Sequence, residues 1–559
     1  MQGKIALVLA ATVAAGTLFA KPLVKDGERI AFIGDSITEF GNWPAGYVNM
    51  VVKGLELNGV KVGKIAVGHS AETSENMVRR FAKDVVAAKP DWVTISCGVN
   101  DVERMCVKGK KEVDYERFEK NVRGMLDMAK AAGIRPVLLT PTIRWEDKPD
   151  SEQNQQILKL GAFMKAEAKA RGIPVADLNA LMRETMKTTP LNGKYRLTRD
   201  GVHMNFAGNA MMAKGVLKAL GVETTPAMEA AWRDLPDGRC YYQWFTWAEA
   251  QKLEAAKKPG EDRKHCAERL VREAVAAGKV PEPPKPGVAP KDESALKPEI
   301  VFLGDRVVAW GNDQDCGWVR MTRKGLELAE GRHVVAQTKA WWLRDETEAM
   351  MAKAEEFAAA KPKRAVLMLG SREMRPKYSK PEVAVANLAL AKERILKLID
   401  LFTAAKSETV VLGHPVMTDK PGETDNRNVA EWNAWLKGEC AKRGAKFVDL
   451  YALMSEELKA REGKVEAEPF GNSWFISGWY HMIPNFRGHR LIAMNVLKAF
   501  GVETTDAMER SWADAGGAIQ PQLGFSLNEW DAFDGKAKAQ KMSVEQYCGQ
   551  LLKITLKDK

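Results

Sequence analysis

Cysteine is sparse in this chain of 559 residues. Cys97, Cys106, Cys240, Cys266, Cys316, Cys440 and Cys548 lie far apart, and no two form Cys-x-x-Cys. That excludes a disulfide scaffold and a cysteine-built zinc site. Seven is odd, so at least one thiol is unpaired. One or two bridges remain open in an oxidising compartment, and the spacing does not choose among them. Basic blocks are also missing. The net charge is +11, but lysines and arginines alternate with acids along the whole length. A nucleic-acid arm is excluded, while weak attraction to an acidic polysaccharide or anionic surface stays open. After the first twenty residues no stretch is long and apolar enough to span a bilayer. Nor is there a long apolar insertion of the kind that caps a lipid-binding site.

The first twenty residues have a pattern of their own. Lys4 precedes an apolar run from Ile5 to Ala20, and Lys21-Pro22 follows. This is expected to be a secretory signal peptide cut near Ala20, with no cysteine after it to carry a lipid. The mature protein is expected to be secreted or periplasmic. The whole sequence is 45% hydrophobic and 28% charged, enough for full cores, and its length calls for more than one domain.

The chain reads as a duplication. Phe32-Ile-Gly-Asp-Ser-Ile-Thr-Glu-Phe-Gly-Asn42 is matched by Phe302-Leu-Gly-Asp-Arg-Val-Val-Ala-Trp-Gly-Asn312 at an offset of 270. Val216-Leu-Lys-Ala-Leu-Gly-Val-Glu-Thr-Thr is matched by Val496-Leu-Lys-Ala-Phe-Gly-Val-Glu-Thr-Thr at an offset of 280. Two copies of this length are not a solenoid, whose repeats run about 20–50 residues. In the first copy the strand-like runs are Arg29–Ile33, Lys64–Val67, Trp92–Cys97, Pro136–Thr140 and Pro174–Asp177. They alternate with helical spacing over Met77–Ala88, Tyr115–Ala132 and Asn154–Arg171. That rhythm predicts an α/β fold with a parallel sheet and helices on both faces. The organisation expected is a leader at 1–20, a sheet domain at 21–235, a helical extension at 236–279, a Pro-rich linker at 280–297, a second sheet domain at 298–515 and a helical tail at 516–559.

Four short segments of the first copy carry chemistry-bearing residues at predicted strand ends. They are Gly34-Asp35-Ser36, Val67-Gly68-His69-Ser70, Gly98-Val99-Asn100-Asp101, and Asp200-Gly201-Val202-His203. Strand ends on one edge of a parallel sheet converge in space. Ser36 on its own is equally an ordinary helix cap. Together the residues suit acyl transfer. A serine hydroxyl needs a base, histidine serves near neutral pH, and a carboxylate three residues upstream can orient the ring. The N–H groups of Ser36 and Gly68 and the Asn100 amide are three donors for an oxyanion, with Gly68 expected to be glycine so that substrate can approach. Asp101 reads as a helix cap as readily as a site residue, His69 as a surface histidine or a substrate contact, and Trp43 and Trp145 as core or rim packing or as a stacking surface for a sugar or acyl group.

In order and spacing these segments resemble the SGNH, or GDSL, hydrolase superfamily over residues 28 to about 222. The resemblance implies a flavodoxin-like three-layer α/β/α sandwich, hydrolysis of esters, and no metal or organic cofactor. By position it puts the nucleophile on Ser36, the oxyanion donors on Gly68 and Asn100, and the acid and base on Asp200 and His203. One departure is Ala66, where many members have asparagine. The expected activity is a serine esterase acting on short acyl esters, with O-acetyl groups on carbohydrate favoured. A lysophospholipase or arylesterase is the alternative among enzymes, and a glycan-binding protein the alternative outside them. No nucleic acid or membrane span is expected, and oligomeric state is left open.

In the second copy the chemistry is replaced. Arg306 stands for Ser36, Gln337 falls near Gly68, Arg372 stands for Asn100 and Gly478 for Asp200, while His481 matches His203. That copy is expected to be catalytically dead. Arg306, Arg372 and His481 are the candidate contacts for an anion there, with Trp310, Trp341, Trp342, Trp474 and Trp479 nearby. The ordinary alternative is a copy kept for packing, its arginines paired with acids.

Overall fold

The computed structural model describes residues 22–558 except 109–110, 192, 285–292, 314, 341–346, 371–380, 418–423, 461–474, 476–483 and 518. The expected leader therefore lies outside the described residues. By its contacts the chain divides into two units, one running through Cys240 and adding Gly524–Gly535, the other comprising Tyr241–Leu523 and Lys536–Lys559.

In the first unit the order is β1 (Arg29–Gly34), α1 (Ser36–Gly41), α2 (Tyr47–Leu57), β2 (Gly63–Gly68), α3 (Ser74–Phe81), β3 (Trp92–Ser96), α4 (Asp101–Arg104), α5 (Tyr115–Ala131), β4 (Arg135–Leu139), α6 (Glu152–Arg171), β5 (Val175–Ala176), α7 (Leu178–Thr188), α8 (Phe206–Ala219) and α9 (Pro226–Arg233). The strands form a parallel sheet in the order β2-β1-β3-β4-β5. Alternate residues feed opposite cores, as strand geometry requires. Ile30, Phe32, Val137 and Leu139 pack with α2 and α8 on one face. Ala31, Ile33, Val93, Ile95 and Leu138 pack with α3, α5 and α6 on the other. The result is the expected three-layer α/β/α sandwich.

Local chemistry moves two boundaries from where hydrophobic spacing put them. β1 runs one residue past the expected Ile33, to Gly34, which pairs with Gly68 on one side and Ser96 on the other. The helix expected from Met77 begins at Ser74, because Thr73 and Asn76 form a capping box there. It runs into a π-helical turn at Ala82–Val86.

After β6 (Arg239–Tyr242), α10 (Trp247–Ala255) and α11 (Arg263–Ala276) come the elements of a second sheet. These are β7 (Ile300–Gly304), α12 (Arg306–Asp313), α13 (Trp318–Glu330), β8 (Ala336–Ala340), α14 (Thr347–Ala359), β9 (Arg364–Met368), α15 (Pro381–Ala404), β10 (Glu408–Leu412), α16 (Thr424–Lys442), β11 (Lys446–Val448), α17 (Leu450–Ala460), α18 (Phe486–Ala499) and α19 (Asp506–Ala513). The chain closes with β12 (Gln522–Phe525), α20 (Leu527–Ala539) and α21 (Val544–Lys557). The second sheet is again parallel, in the order β8-β7-β9-β10-β11, the same order as the first.

The likeness extends to single bonds. The Trp232 indole N–H donates to the Met50 carbonyl at 2.9 Å, and Trp512 does the same to Met321 at 3.0 Å. Asn205 caps α8 by accepting from Gly208, and Asn485 caps α18 by accepting from Gly488, each at 3.1 Å. The Tyr47 N–H reaches Asn209 Oδ1 on α8, while that of Trp318 reaches His489 Nδ1 on α18. No disulfide joins any of the seven cysteines.

Candidate active site

The end of β1 fixes the first group. Asp35 caps α1, its Oδ1 accepting the Ile37 N–H at 2.9 Å, and its carbonyl accepts those of Thr38 and Glu39. Ser36 is thus the first residue of a helix lying at the carboxyl edge of the sheet, the place expected for it. Its own N–H is the first-turn donor that finds no partner among the described residues.

The loop before α8 supplies the second group. Ser36 Oγ lies 2.8 Å from His203 Nε2, and His203 Nδ1 lies 2.6 Å from Asp200 Oδ2. The other oxygen, Asp200 Oδ1, accepts the N–H of Val202 at 3.0 Å and of His203 at 3.0 Å or less. Burial alone would raise the Asp200 carboxyl. The His203 ring and these N–H groups outweigh it and hold the carboxyl below its ordinary value. The pattern fits the tautomer with its proton on Nδ1, which leaves Nε2 free to accept from the serine. Such a chain can take the hydroxyl proton as the oxygen attacks a carbonyl carbon.

Gly68 and Asn100 come to the same edge. His69 N–H takes the Gly34 carbonyl at 2.9 Å, so by the alternation of a parallel ladder the Gly68 N–H points away from β1. The reason for glycine differs from the one expected. A Cβ on Gly68 would stand 2.3 Å from the Glu39 backbone nitrogen, so it is α1 and not a substrate that fills this space. Asn100 Nδ2 donates to the Glu72 carbonyl at 3.0 Å. An amide nitrogen carries two hydrogens, and the second remains available.

Asp101 is a cap, its carboxyl accepting the Ser74 N–H at the start of α3 and the Gly98 N–H. His69 is an exposed histidine 3.5 Å from Glu72. Neither tryptophan is in the core, since Trp43 is 41% exposed and Trp145 40%. Trp43 stacks on Phe40 at 4.5 Å, and Phe40 lies 4.9 Å from the His203 ring. Trp145 holds a left-handed backbone, φ +58°, with its ring against Gly201, itself at φ +96°.

Glu146 was not singled out by any motif. It is 3% exposed. Its carboxyl accepts the backbone N–H of Arg196, Leu197 and Thr198 and the Thr198 hydroxyl. Thr198 Oγ1 in turn accepts the Gly201 N–H, between Asp200 and His203. The only sequence signal was an acid beside an aromatic in the loop after β4.

Beneath the serine lie two buried carboxyls. Burial pushes Asp35 up to about 7, with the Asp101 charge adding to the effect and the Ile37 N–H and Arg144 opposing it. Burial likewise pushes Asp101 up to about 6 against the donors from Ser74 and Gly98. A carboxyl raised in the folded chain contributes stability that is full below its unfolded value near 4 and lost as pH rises through the folded one. Asp35→Asn keeps the capping oxygen and removes this titration. Between pH 4 and 7 the thermal midpoint of Asp35→Asn relative to the parent is expected to climb, by on the order of 2–4 kcal/mol of relative stability. A difference that does not vary with pH would refute the assignment.

In the second unit Arg306 opens α12 where Ser36 opens α1, after an Asp305 whose Oδ1 accepts the Val307 N–H. Arg372, His481, Trp341, Trp342, Trp474 and Trp479 lie outside the described residues. A histidine that the sequence reading passed over, His414, is buried at this edge, its Nε2 bonded to the Leu369 carbonyl at 2.9 Å. Among the described residues no group of histidines, cysteines and acids could hold a metal, and no helix is long and apolar enough to cross a membrane.

Known proteins resemble the first unit. The model of the GDSL-like Lipase/Acylhydrolase family matches residues 32–211. An acetylxylan esterase of Geobacillus stearothermophilus is 30% identical over 216 residues, 36% of this chain and 97% of that protein. An acetylxylan esterase of Xylanibacter ruminicola is 29% identical over 226 residues, 35% of this chain and 44% of that protein. A solved structure of an acetyl xylan esterase from Geobacillus stearothermophilus matches at 28% identity and a TM-score of 0.33, covering 36% of this chain and 99% of that one.

Proposed function

Since the chain belongs to the GDSL-like Lipase/Acylhydrolase family and is a carboxylic ester hydrolase, we propose that its first unit is a serine esterase removing short acyl groups, acetyl above all, from carbohydrate. The observation that carries the reading is the unbroken chain from Asp200 through His203 to Ser36 Oγ, at 2.6 and 2.8 Å.

In this mechanism His203 takes the Ser36 proton as Oγ adds to the ester carbonyl. The negative oxygen meets the N–H groups of Ser36 and Gly68 and the free amide hydrogen of Asn100. Collapse gives the acyl-serine and passes the proton from His203 to the departing sugar hydroxyl. Water repeats the sequence and frees the acid. Asp200 keeps the imidazole oriented and stabilises its charged form. The glycan preference is supported by the two acetylxylan esterases among the relatives and by Trp43 and Trp145, two half-exposed rings beside the triad loop.

The second unit is read as a degenerate copy of the first, without a nucleophile at Arg306. Its sheet order, the paired tryptophan bonds and the paired helix caps support that origin. Export, to the periplasm or beyond the cell, is read from the leader-like pattern of residues 1–20.

The test is hydrolysis of the p-nitrophenyl esters of acetate, butyrate and octanoate. Acetate is expected to be preferred, with release of acetate from acetylated xylan to follow. A preference for octanoate would replace the glycan reading with a lipid one. Well-folded protein that hydrolyses none of the three, and no acetylated glycan, would overturn it.

A further inference from the structure

We propose that Arg80 is a positioning residue that aligns all three oxyanion donors. The inference rests on the oxyanion roles proposed above for Ser36, Gly68 and Asn100. Arg80 lies on α3, and its side chain is largely buried. Its guanidinium makes four contacts. Nε donates to Glu72 Oε2 at 2.7 Å, and Nη1 to Asp84 Oδ2 at 3.0 Å. Nη2 donates to the Val67 carbonyl at 2.7 Å and, more loosely, to that of Gly34 at 3.4 Å. The Asp84 contact is an ordinary pair one turn along.

The other three each touch a different donor segment. Gly34 ends β1 two residues before Ser36. Val67 directly precedes Gly68 in β2. Glu72 is the residue whose carbonyl holds the Asn100 amide. These links come from separate parts of the chain and meet at one rigid planar fork. A guanidinium fixes its N–H directions in one plane, so its acceptors are locked to a common geometry. The π-helical turn that follows Arg80, Ala82–Val86, is of a kind that clusters at functional sites. Donors aimed at a transition state tolerate errors of only about 0.5 Å, so a fork that fixes three of them at once has leverage on the chemical step.

A brace that served only the fold would alter the melting temperature. A positioning residue alters kcat and leaves KM nearly untouched, because the oxyanion contacts form only in the transition state. The experiment compares the full chain with Arg80→Lys, Arg80→Gln and Asn100→Ala. It measures kcat and KM on p-nitrophenyl acetate, inhibition by phenylboronic acid, and the melting temperature of each. Loss of a whole oxyanion donor costs about 10²–10³ in rate, and misaligned donors cost less. Arg80→Gln is expected to lose about 10–100-fold in kcat with KM changed less than about twofold, and to bind the boronic acid correspondingly more weakly. Arg80→Lys keeps the charge but not the fork, so it falls with Arg80→Gln, and it answers the question if the glutamine variant does not fold. If folded Arg80 variants keep the parent kcat while Asn100→Ala loses it, Arg80 is only a brace. If Asn100→Ala also keeps it, or the parent shows no turnover, the oxyanion reading itself has failed.

Discussion

Ser36→Ala is expected to lower kcat on p-nitrophenyl acetate by about 10⁶-fold, with the melting temperature unchanged. The reason lies in the 2.8 Å contact. In the proposed mechanism the substitution removes the acyl acceptor bonded to His203 and leaves only the proposed oxyanion donors to act on bound ester. Asp200→Asn is expected to cost about 10⁴-fold, the size of effect seen when a triad carboxylate becomes an amide. An asparagine NH₂ presented to Nδ1 favours the other tautomer, in which Nε2 carries the proton and cannot accept one from Ser36. Arg306→Ser, placed in the Ser36→Ala chain, is expected to restore nothing, because Arg372 stands in the sequence position of Asn100. A burst of p-nitrophenol, stoichiometric with enzyme and absent from Ser36→Ala, is the direct check. More than a tenth of parental turnover in Ser36→Ala would mean that the reaction happens elsewhere.

Glu146→Ala carries the largest expected loss of stability, about 3–5 kcal/mol, or roughly 10 °C in melting temperature. The substitution strips three consecutive backbone N–H groups and a hydroxyl of their acceptor in a place water hardly reaches. Each unsatisfied buried donor costs about 1–3 kcal/mol, although relaxation of the 196–198 loop recovers part of that sum. The loss spreads to catalysis, because Thr198 links this carboxyl to Gly201 in the Asp200–His203 loop. Glu146→Gln retains one acceptor oxygen and is expected to fall between parent and alanine. Calorimetry of the three proteins decides the matter. A Glu146→Ala chain that melts within about 2 °C of the parent would show that the loop is held by something else.

The parts of the site visible in the sequence are those whose side chains both carry the chemistry and advertise it. Asp200 and His203 are three residues apart, so their contact is local and readable. Ser36 and Gly68 stand at the ends of apolar runs, and the alternation of those runs with helical spacing was enough to expect the layers of the sheet. Glu146 was invisible because all but one of its partners, the Thr198 hydroxyl, are backbone groups distant in sequence, which leave no mark in the pattern of side chains. Arg80 was invisible for the same reason, since two of its acceptors are main-chain carbonyls. Gly68 was recognised but explained by the wrong contact. Spacing along one segment does not tell which neighbour will press against the missing Cβ, and here that neighbour is the backbone of α1.

Two sheets of identical strand order, one followed by a helix that opens on a serine and one by a helix that opens on an arginine, give this chain an internal comparison. What the second shares with the first, it has without a serine at that position. Asp305 still caps its helix as Asp35 does, Asn485 still caps α18, and Trp512 still grips a carbonyl across the layer. Those residues therefore belong to the architecture, and a survey of substitutions in the first unit can be sorted against the second. A position where the two agree reports on folding. A position where they part, such as Ser36 and Arg306, is where a difference in chemistry is to be tested.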